Sequence, residues 1–265
     1  MKLALLGAGG INTLVAQALA NGSAGRVDVV AVSGSSPDSA SAAALAKHLD
    51  APTVAPEDLA GTGCDWVLEA AGSTAVRDHV PAIWRAGIGT IVMSIGALID
   101  PMIEQEYASA RRHGVNVVLP SGGIAGLDGV RALHAAGGLQ RVRITTTKAP
   151  AGLRGAPHLE LHNIDLPNDA AITVFEGSAR DAVAGFPANV NVAIALSLAG
   201  LGPDATEVIV RSDPRATRTR HLIEAEGDAA TLEVTITSKP SPSNPRTSYL
   251  AGASAVAAVR EIAVR

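Results

Sequence analysis

A short apolar run near the start of the chain breaks into glycines and then continues as a helical pattern, over residues 3–12. A buried strand that feeds a glycine turn at a helix N-terminus is the usual cradle for a dinucleotide pyrophosphate. Gly7 permits the tight turn and Gly9 lets the backbone approach the phosphates, while the amides of Gly10 and Ile11 supply the positive helix end. Asn12 replaces the third glycine of the G-x-G-x-x-G pattern, and we expect it to crowd helix–strand packing slightly.

Strand and helix patterns alternate over the first ~120 residues at the spacing of βαβ units. Strand patterns occupy 2–6, 27–32, 65–69, 89–94 and 115–119, and helical patterns occupy 11–21, 39–49, 75–86 and 101–113. Parallel strands joined by crossover helices form an open, doubly wound sheet, which binds ligands at the carboxyl ends of its strands. The expected fold class is therefore α/β, with a doubly wound Rossmann domain.

The second half of the chain follows a different pattern from about residue 141. Strands are predicted at 142–148, 171–175, 207–211, 221–225 and 231–237, with helix over most of 178–200. Grouped strands with few helices indicate a mixed or antiparallel sheet and hence a second, α+β domain. We expect residues 1–120 and a C-terminal helical segment, 245–265, to form the dinucleotide-binding domain. Residues 121–244 would then form the substrate and dimerisation domain.

Composition excludes several classes of protein. Hydrophobic residues make up 47% of the chain, charged residues 17%, and the net charge is −4, so nucleic acid is not an expected partner. A single cysteine provides neither a disulfide framework nor a cysteine zinc site. No run approaches the roughly 18 apolar residues of a membrane span, and glycines interrupt any signal-like segment at the start. We expect a cytoplasmic protein that does not associate with membranes.

The end of the second predicted strand carries the residues that should distinguish NAD from NADP. A carboxylate at this point normally binds the ribose 2′-hydroxyl of NAD, but the segment here contains Ser33, Gly34, Ser35 and Ser36. The hydroxyls of Ser33, Ser35 and Ser36 could donate to a 2′-phosphate. We therefore expect NADP to bind at least as well as NAD, with use of both plausible, and aspartate at position 34 to reverse the preference. Ala71 and Gly96, which follow the next two strands, are expected at the nicotinamide side.

Several strings in the chain resemble the L-aspartate dehydrogenase family, and the resemblance extends over essentially the whole sequence. They are Glu69-Ala70-Ala71-Gly72, Ser94-Ile95-Gly96-Ala97, Ser121-Gly122-Gly123-Ile124-Ala125-Gly126-Leu127-Asp128, Val174-Phe175-Glu176-Gly177-Ser178-Ala179-Arg180, Phe186-Pro187-Ala188-Asn189-Val190-Asn191-Val192-Ala193, His221 with its neighbours, and Asn244-Pro245-Arg246-Thr247-Ser248. The resemblance implies a Rossmann domain and an α+β domain in the style of homoserine dehydrogenase or dihydrodipicolinate reductase. It also implies oxidation of L-aspartate with NAD or NADP to iminosuccinate, and so to oxaloacetate and ammonia, in a reversible reaction.

The resemblance also assigns roles to individual residues. His221 matches the catalytic histidine of the family, and the ordinary histidine pKa suits proton transfer near neutrality. Gly123 stands where the family often has a cofactor-contacting alanine, so a backbone contact would survive and a methyl contact would not. Asn191 corresponds to a residue at the nicotinamide. Lysine is common in the family at the position of Arg246.

Other polar residues are candidates for binding substrate. Lys148 could bind a substrate carboxylate, or it could be a solvated lysine at a strand end. Asn189, Asn244, Thr247 and Ser248 could hydrogen-bond substrate, although the same residue types also cap helices. His158 and His162 flank Glu160 but lack a third positioned ligand, so we expect no metal.

Alternatives to the expected activity remain open from the sequence. A related dehydrogenase or imine reductase could act on another amino acid, and a dinucleotide sensor could bind cofactor without turnover. We expect a homodimer whose dimer surface lies on the sheet of the second domain.

Overall fold

The computed structural model describes residues 1–36, 38–187, 190–239 and 248–264. The chain divides into two compact units, the first comprising Met1–Gly122 and Ala251–Arg265 and the second Gly123–Leu250. The division expected from the sequence lies at residues 120 and 245. Within the described ranges, every helix is too short or too polar to cross a bilayer.

The first unit is a five-stranded parallel sheet flanked by helices, which confirms the predicted doubly wound α/β fold. The strands follow the order β2-β1-β3-β4-β5. Its elements are β1 Lys2–Leu6, α1 Gly10–Ala20, β2 Asp28–Ser33, α2 Ala40–His48, β3 Trp66–Glu69, α3 Ser73–Arg85, β4 Gly89–Val92, α4 Pro101–Arg112 and β5 Val117–Val118, with 3₁₀ turns at Pro56–Gly61 and Ile95–Ile99.

The core of this unit is formed by short apolar strands packed against alanine-rich helices. Leu3 and Leu5 of β1 are fully buried in a cluster that also contains Val259 and Ile262. The last two belong to the C-terminal helix α9, Tyr249–Ala263, whose residues from Ala251 onward are part of the first unit. Small residues let this helix approach closely, because a methyl group on Gly252 would lie 2.7 Å from Leu14 Cδ2.

The strand order of the first unit indicates which edge of its sheet could bind a ligand. The chain runs outward from β1 to β2 and then returns to the other side of β1 with β3. Ligands of open α/β sheets bind at such a reversal, outside the carboxyl ends of the strands. The loops after β1, β2, β3 and β4 are therefore the segments that can form a binding site in this unit.

The second unit contains the mixed sheet that the strand grouping predicted. Its strand order is β10-β9-β6-β8-β7, with β6 and β8 parallel and the other neighbours antiparallel. The elements are α5 Leu127–Ala136, β6 Leu139–Lys148, α6 Pro157–Leu161, β7 Ile172–Ser178, α7 Ala179–Gly185, α8 Val190–Ala199, β8 Thr206–Ser212, β9 Thr219–Gly227 and β10 Thr231–Ser238, with a 3₁₀ turn at Pro150–Gly152.

Two features of this unit differ from the sequence-based expectation. The stretch 178–200, expected to be mostly helical, is divided into two helices, α7 and α8, because Pro187 follows the first of them and disfavours continuation of a helix. Helices α5 and α6 were not predicted as elements. Both pack within the second unit, α5 against α8 and α6 against α7.

Alternation along β6 separates a covered face of the sheet from an open one. Val142, Ile144 and Thr146 are buried, and the residues between them are partly exposed. A methyl group on Gly200, at the end of α8, would lie 3.1 Å from Val142 Cγ2, so the helices cover the face that carries Val142. Thr146 and every second residue of the neighbouring strands share this face.

Candidate active site

The glycine turn after β1 has the backbone that a pyrophosphate cradle requires. Gly7 has φ +101°, and its amide donates to Ser33 O at 2.7 Å. A methyl group on Gly7 would lie 2.8 Å from Ala70 O, so both conformation and space demand glycine. At Gly9 a methyl group would meet nothing within 4 Å, and the cradle is open there.

Helix α1 presents its first amides at this turn. It begins at Gly10, and Thr13 N donates to Gly9 O at 3.0 Å. The amides of Gly10 and Ile11 precede that bond and have no acceptor within the helix. The turn and the helix end thus fit a dinucleotide pyrophosphate through backbone groups alone.

The side chain of Asn12 is hydrogen-bonded to the glycine turn. The side chain is fully buried, and its Nδ2 donates to Gly7 O at 2.7 Å and to Leu6 O at 3.3 Å. An amide at the third position of the motif thereby holds the carbonyls of the turn, which a glycine could not do. These two hydrogen bonds are a structural role that the sequence-based expectation of slight crowding did not include.

The end of β2 exposes only part of the serine segment. Ser33 is fully buried, and its Oγ has no hydrogen-bond partner among the described residues. Contact of this hydroxyl with a ligand, as expected from the sequence, would require an opening that the structure lacks. Gly34 is enclosed as well, because a methyl group there would lie 2.5 Å from Ser39 Cβ. Ser35 and Ser36 are exposed, so they are the residues that can meet a 2′-phosphate.

A buried carboxylate joins the loops after β3 and β4. Glu69, the last residue of β3, is fully buried, and its Oε1 accepts from Ala71 N at 2.8 Å and from Gly72 N at 3.0 Å. Ser94 Oγ donates to the same oxygen at 2.7 Å, and Ser94 N donates to Oε2 at 3.0 Å. Burial raises the pKa of Glu69, and the hydrogen bonds from Ser94, Ala71 and Gly72 oppose that rise.

The two residues expected at the nicotinamide side lie in the loops that Glu69 joins. Ala71 is exposed, and Gly96 is buried in the 3₁₀ turn after Ser94. Gly72 has φ +108° and ψ 167°, a conformation open essentially to glycine alone. The loop after β3 is therefore held in a conformation that its hydrogen bonds to Glu69 and Ser94 impose.

In the second unit, strand register brings a histidine and a threonine together. His221 on β9 lies opposite Thr146 on β6, and both side chains are buried. Thr146 Oγ1 is 3.0 Å from His221 Nδ1. Lys148 lies two residues beyond Thr146, so it shares this face of the sheet at the strand end.

The electrostatics of this cluster favour a neutral imidazole. Burial, with the positive charge of Lys148, lowers the pKa of His221 to about 4. Burial also lowers the pKa of Lys148. A bound anion would stabilise the cationic forms of His221 and Lys148, because nearby negative charge favours protonation.

A second group of expected residues meets around Gly123. A methyl group on Gly123 would lie 3.5 Å from Ser248 Cβ and 3.6 Å from Val192 Cγ1, which are ordinary contacts. The family's alanine would therefore fit at this position. Ser248 Oγ is buried and has no hydrogen-bond partner among the described residues, and Asn191 is exposed in the first turn of α8. Asn189, Asn244 and Thr247 lie outside the described residues.

Three polar residues of these sites received no role from the sequence. Thr146 was assigned only to a strand, although its place two residues before Lys148 indicates the same face. Glu69 and Ser94 were noted only as parts of family-like strings. A carboxylate that ends an otherwise apolar strand was the signal that could have identified Glu69.

His158 and His162 belong to an aromatic cluster. Their rings are 4.4 Å apart, and His158 packs edge-on against Phe175 at 5.2 Å and near Phe186 at 5.4 Å. Burial, with the neighbouring His162, lowers the pKa of His158. Among the described residues, no three His, Cys, Asp or Glu side chains are grouped so that they could hold a metal ion.

Comparisons with known proteins agree with both units. Residues 7–120 match the family described as homoserine dehydrogenase, NAD binding domain, and residues 128–262 match aspartate dehydrogenase, C-terminal. A solved structure of aspartate dehydrogenase from Thermotoga maritima has a TM-score of 0.73 at 22% identity, covering 99% of this chain and 96% of that one. A homoserine dehydrogenase from Thiobacillus denitrificans has a TM-score of 0.63 at 14% identity, covering 99% and 73%. These two structures support the fold.

Sequence relatives establish the family. The chain is 37% identical to an L-aspartate dehydrogenase of Methanosarcina mazei, over 99% of this chain and 97% of the relative. It is also 37% identical to an L-aspartate dehydrogenase of Bradyrhizobium diazoefficiens, over 98% of this chain and 91% of the relative. With this similarity over nearly its full length, the chain belongs to the L-aspartate dehydrogenase family.

Proposed function

We propose that this chain is an NAD(P)-dependent L-aspartate dehydrogenase. It would oxidise L-aspartate to iminosuccinate, which water converts to oxaloacetate and ammonia, and would catalyse the reverse amination. The observation that carries the proposal is the buried His221, hydrogen-bonded to Thr146 on the face shared with Lys148, in a chain of this family.

The first unit supplies the dinucleotide site in this proposal. Gly7, Gly9, Gly10 and Ile11 hold the pyrophosphate through backbone groups, and Ala71 and Gly96 lie in the loops beside the nicotinamide. Gly123 and Asn191 are the cofactor-binding candidates of the second unit. When bound, a nicotinamide cofactor would supply the acceptor for the hydride that leaves Cα of the amino acid.

His221 transfers protons to and from the amine and the attacking water. Its Nδ1 is bonded to Thr146, so Nε2 is the nitrogen directed to substrate in this proposal, with the ring proton on Nδ1. A neutral ring can accept a proton. The pKa of about 4 makes it a weak base in the unliganded chain. Bound aspartate carries two carboxylates, whose charge raises the pKa of His221 toward neutrality when it is needed.

Substrate carboxylates bind to cationic and donor groups of the second unit. Lys148 supplies a point charge, and Ser248, Asn189, Asn244 and Thr247 supply hydrogen-bond donors. The buried Oγ of Ser248 beside Gly123 supports a role for the segment that precedes α9.

We propose NADP as the preferred cofactor, with NAD also accepted. Support comes from the residues after β2, where Ser35 and Ser36 are exposed and no carboxylate occupies positions 33–36. A 2′-phosphate would therefore meet hydroxyl donors, and no carboxylate from these four positions would repel it.

We also propose a homodimer that associates through the open face of the second unit's sheet. That face carries an ion-pair network, in which Arg143 and Arg141 contact Glu207 at 2.7 and 3.3 Å. Half-buried Ile209 and Leu222 lie among these charges. Interleaved apolar and paired charged residues suit a self-complementary surface. Sedimentation of a monomer at micromolar concentration would contradict this proposal.

A panel assay tests the proposed activity. Purified protein is incubated with L-aspartate or each of a set of other amino acids, with NAD or NADP, at alkaline pH, and cofactor reduction is followed by absorbance. Reduction confined to L-aspartate supports the proposal. Reduction with another amino acid indicates a related dehydrogenase, and saturable NADPH binding without reduction by any amino acid indicates a sensor.

A further inference from the structure

The loops after β3 and β4 are joined by one side chain that the proposed chemistry does not use. Glu69 receives three backbone amides and one hydroxyl on its two carboxylate oxygens. Ser94 bridges the same loops a second time, because its Oγ also accepts from Gly72 N at 3.1 Å. Glu69 and Ser94, which are 25 positions apart in the chain, are thus linked through both oxygens of the carboxylate.

The number and type of these bonds require a carboxylate. A carboxylate is an acceptor on both oxygens, whereas glutamine has one acceptor oxygen and a donor NH₂ group. In a Glu69→Gln variant with the new side chain in its best orientation, the amide oxygen would keep the three donors on Oε1, and the NH₂ group would face Ser94 N. The loop after β4 would then lose its amide anchor, while the loop after β3 would keep its own.

The geometry points to Glu69 and Ser94 as positioning residues that hold the nicotinamide-side loops of the dinucleotide site in their binding conformation. The inference rests on the dinucleotide site of the proposed function. Gly72 supports it, because its backbone, at φ +108° and ψ 167°, has a conformation that essentially only glycine adopts, and a glycine has no side chain to fix that conformation. Its amide donates to both Glu69 and Ser94.

The pyrophosphate cradle is held by different residues. Gly7 N donates to Ser33 O, and Asn12 Nδ2 donates to the carbonyls of Gly7 and Leu6. A change at Glu69 therefore weakens binding of the nicotinamide half of the cofactor more than binding of the ADP-ribose half. A purely structural role would weaken both halves equally.

The test compares two ligands by calorimetry on the full chain. One is NADH or NADPH, whichever the wild type binds more tightly, and the other is the matching ADP-ribose fragment without nicotinamide. For Glu69→Gln we expect the Kd of the dinucleotide to rise about tenfold and that of the fragment to change by less than about twofold. Ser94→Ala, which keeps the backbone amide, should change the same ratio in the same direction by a smaller factor.

Thr90→Val is the matched control. Thr90 is buried on β4, the strand before Ser94, and its Oγ1 accepts from Trp84 Nε1 at 2.8 Å. This variant loses a buried hydrogen bond away from both loops, so urea unfolding should show lower stability with an unchanged ratio of the two Kd values. An equal loss of both ligands, or an unchanged ratio in Glu69→Gln and Ser94→Ala, overturns the inference. A wild type that binds neither dinucleotide overturns the proposed function instead.

Discussion

The hydroxyl oxygen of Thr146 lies 3.0 Å from Nδ1 of His221, across the antiparallel pairing of β6 with β9. Both residues are buried, so this hydrogen bond orients the imidazole ring and engages Nδ1. The candidate catalytic residue His221 on β9 is therefore oriented by a side chain of the neighbouring strand β6.

Replacing Thr146 with valine keeps the shape of the side chain and removes the hydroxyl. We expect Thr146→Val to lower kcat about tenfold, because the ring loses the hydrogen-bond partner that orients it. Steady-state kinetics with L-aspartate measures this effect. Thr145→Val, on the open face of the same strand, serves as the control and should retain wild-type kcat. Equal kcat values in the wild type and both variants would show that Thr146 does not assist His221.

Loss of the imidazole should have a larger effect than loss of its partner. We expect His221→Ala to lower turnover by about 100-fold or more, as is usual for removal of a general acid–base group. The Kd of the cofactor should stay nearly unchanged, which calorimetry can verify. Near-normal turnover in a folded variant would show that another group transfers the proton.

Lys148 should affect both substrate binding and the titration of His221. We expect Lys148→Met to raise the KM for aspartate at least about tenfold, because a substrate carboxylate loses its cationic partner. The variant also lacks the positive charge that helps lower the pKa of His221, so that pKa should rise. The acidic limb of the kcat/KM profile would then move to higher pH. An unchanged KM and an unmoved limb would identify Lys148 as a solvated lysine.

The buried histidine should also make the fold sensitive to acid. His221 has a pKa of about 4 in the folded chain against an ordinary value of 6.5, so the unfolded chain binds the proton more readily. Stability is therefore lost as the pH falls from about 6.5 toward 4, by about 1.4 kcal/mol per pH unit at most. The free energy of unfolding in urea at pH 7 and pH 5 should differ by about 2 kcal/mol more in the wild type than in His221→Ala. His134→Ala, at an exposed position, should behave as the wild type does, and identical pH dependence in both variants would contradict the assignment.

Cofactor preference can be tested at Ser35. The sequence-based prediction placed a test aspartate at Gly34, but that position lacks space for a side chain, whereas Ser35 is exposed. We expect Ser35→Asp to shift the ratio of Kd values toward NAD by about ten- to a hundredfold, equivalent to roughly 1–3 kcal/mol of repulsion against a 2′-phosphate. Ser35→Asn has a similar size without charge and should shift the ratio much less. A ratio that does not move would mean that other residues bind the 2′ position.

Local patterns were enough to predict much of the first unit. The strand, glycine turn and helix at residues 3–12 lie where the pattern placed them, because burial periodicity and the conformational freedom of Gly7 act within a few residues. The same holds for the alternation of strands and helices, which confirms the α/β class. Ser33 shows the limit, because the sequence identifies a hydroxyl at a strand end but not whether that hydroxyl is enclosed.

The contacts within the candidate sites depended on long-range packing. Thr146 and His221 are 75 residues apart, and only the pairing of β6 with β9 makes them neighbours. Glu69 and Ser94 are 25 residues apart, and they meet because β3 and β4 lie side by side and end together. Local patterns in the chain established the strands, the glycine turn and the residue types available for chemistry. Strand order and register decided which buried polar groups hydrogen-bond to one another. Both depend on packing over the whole unit, so local patterns could not predict these partners.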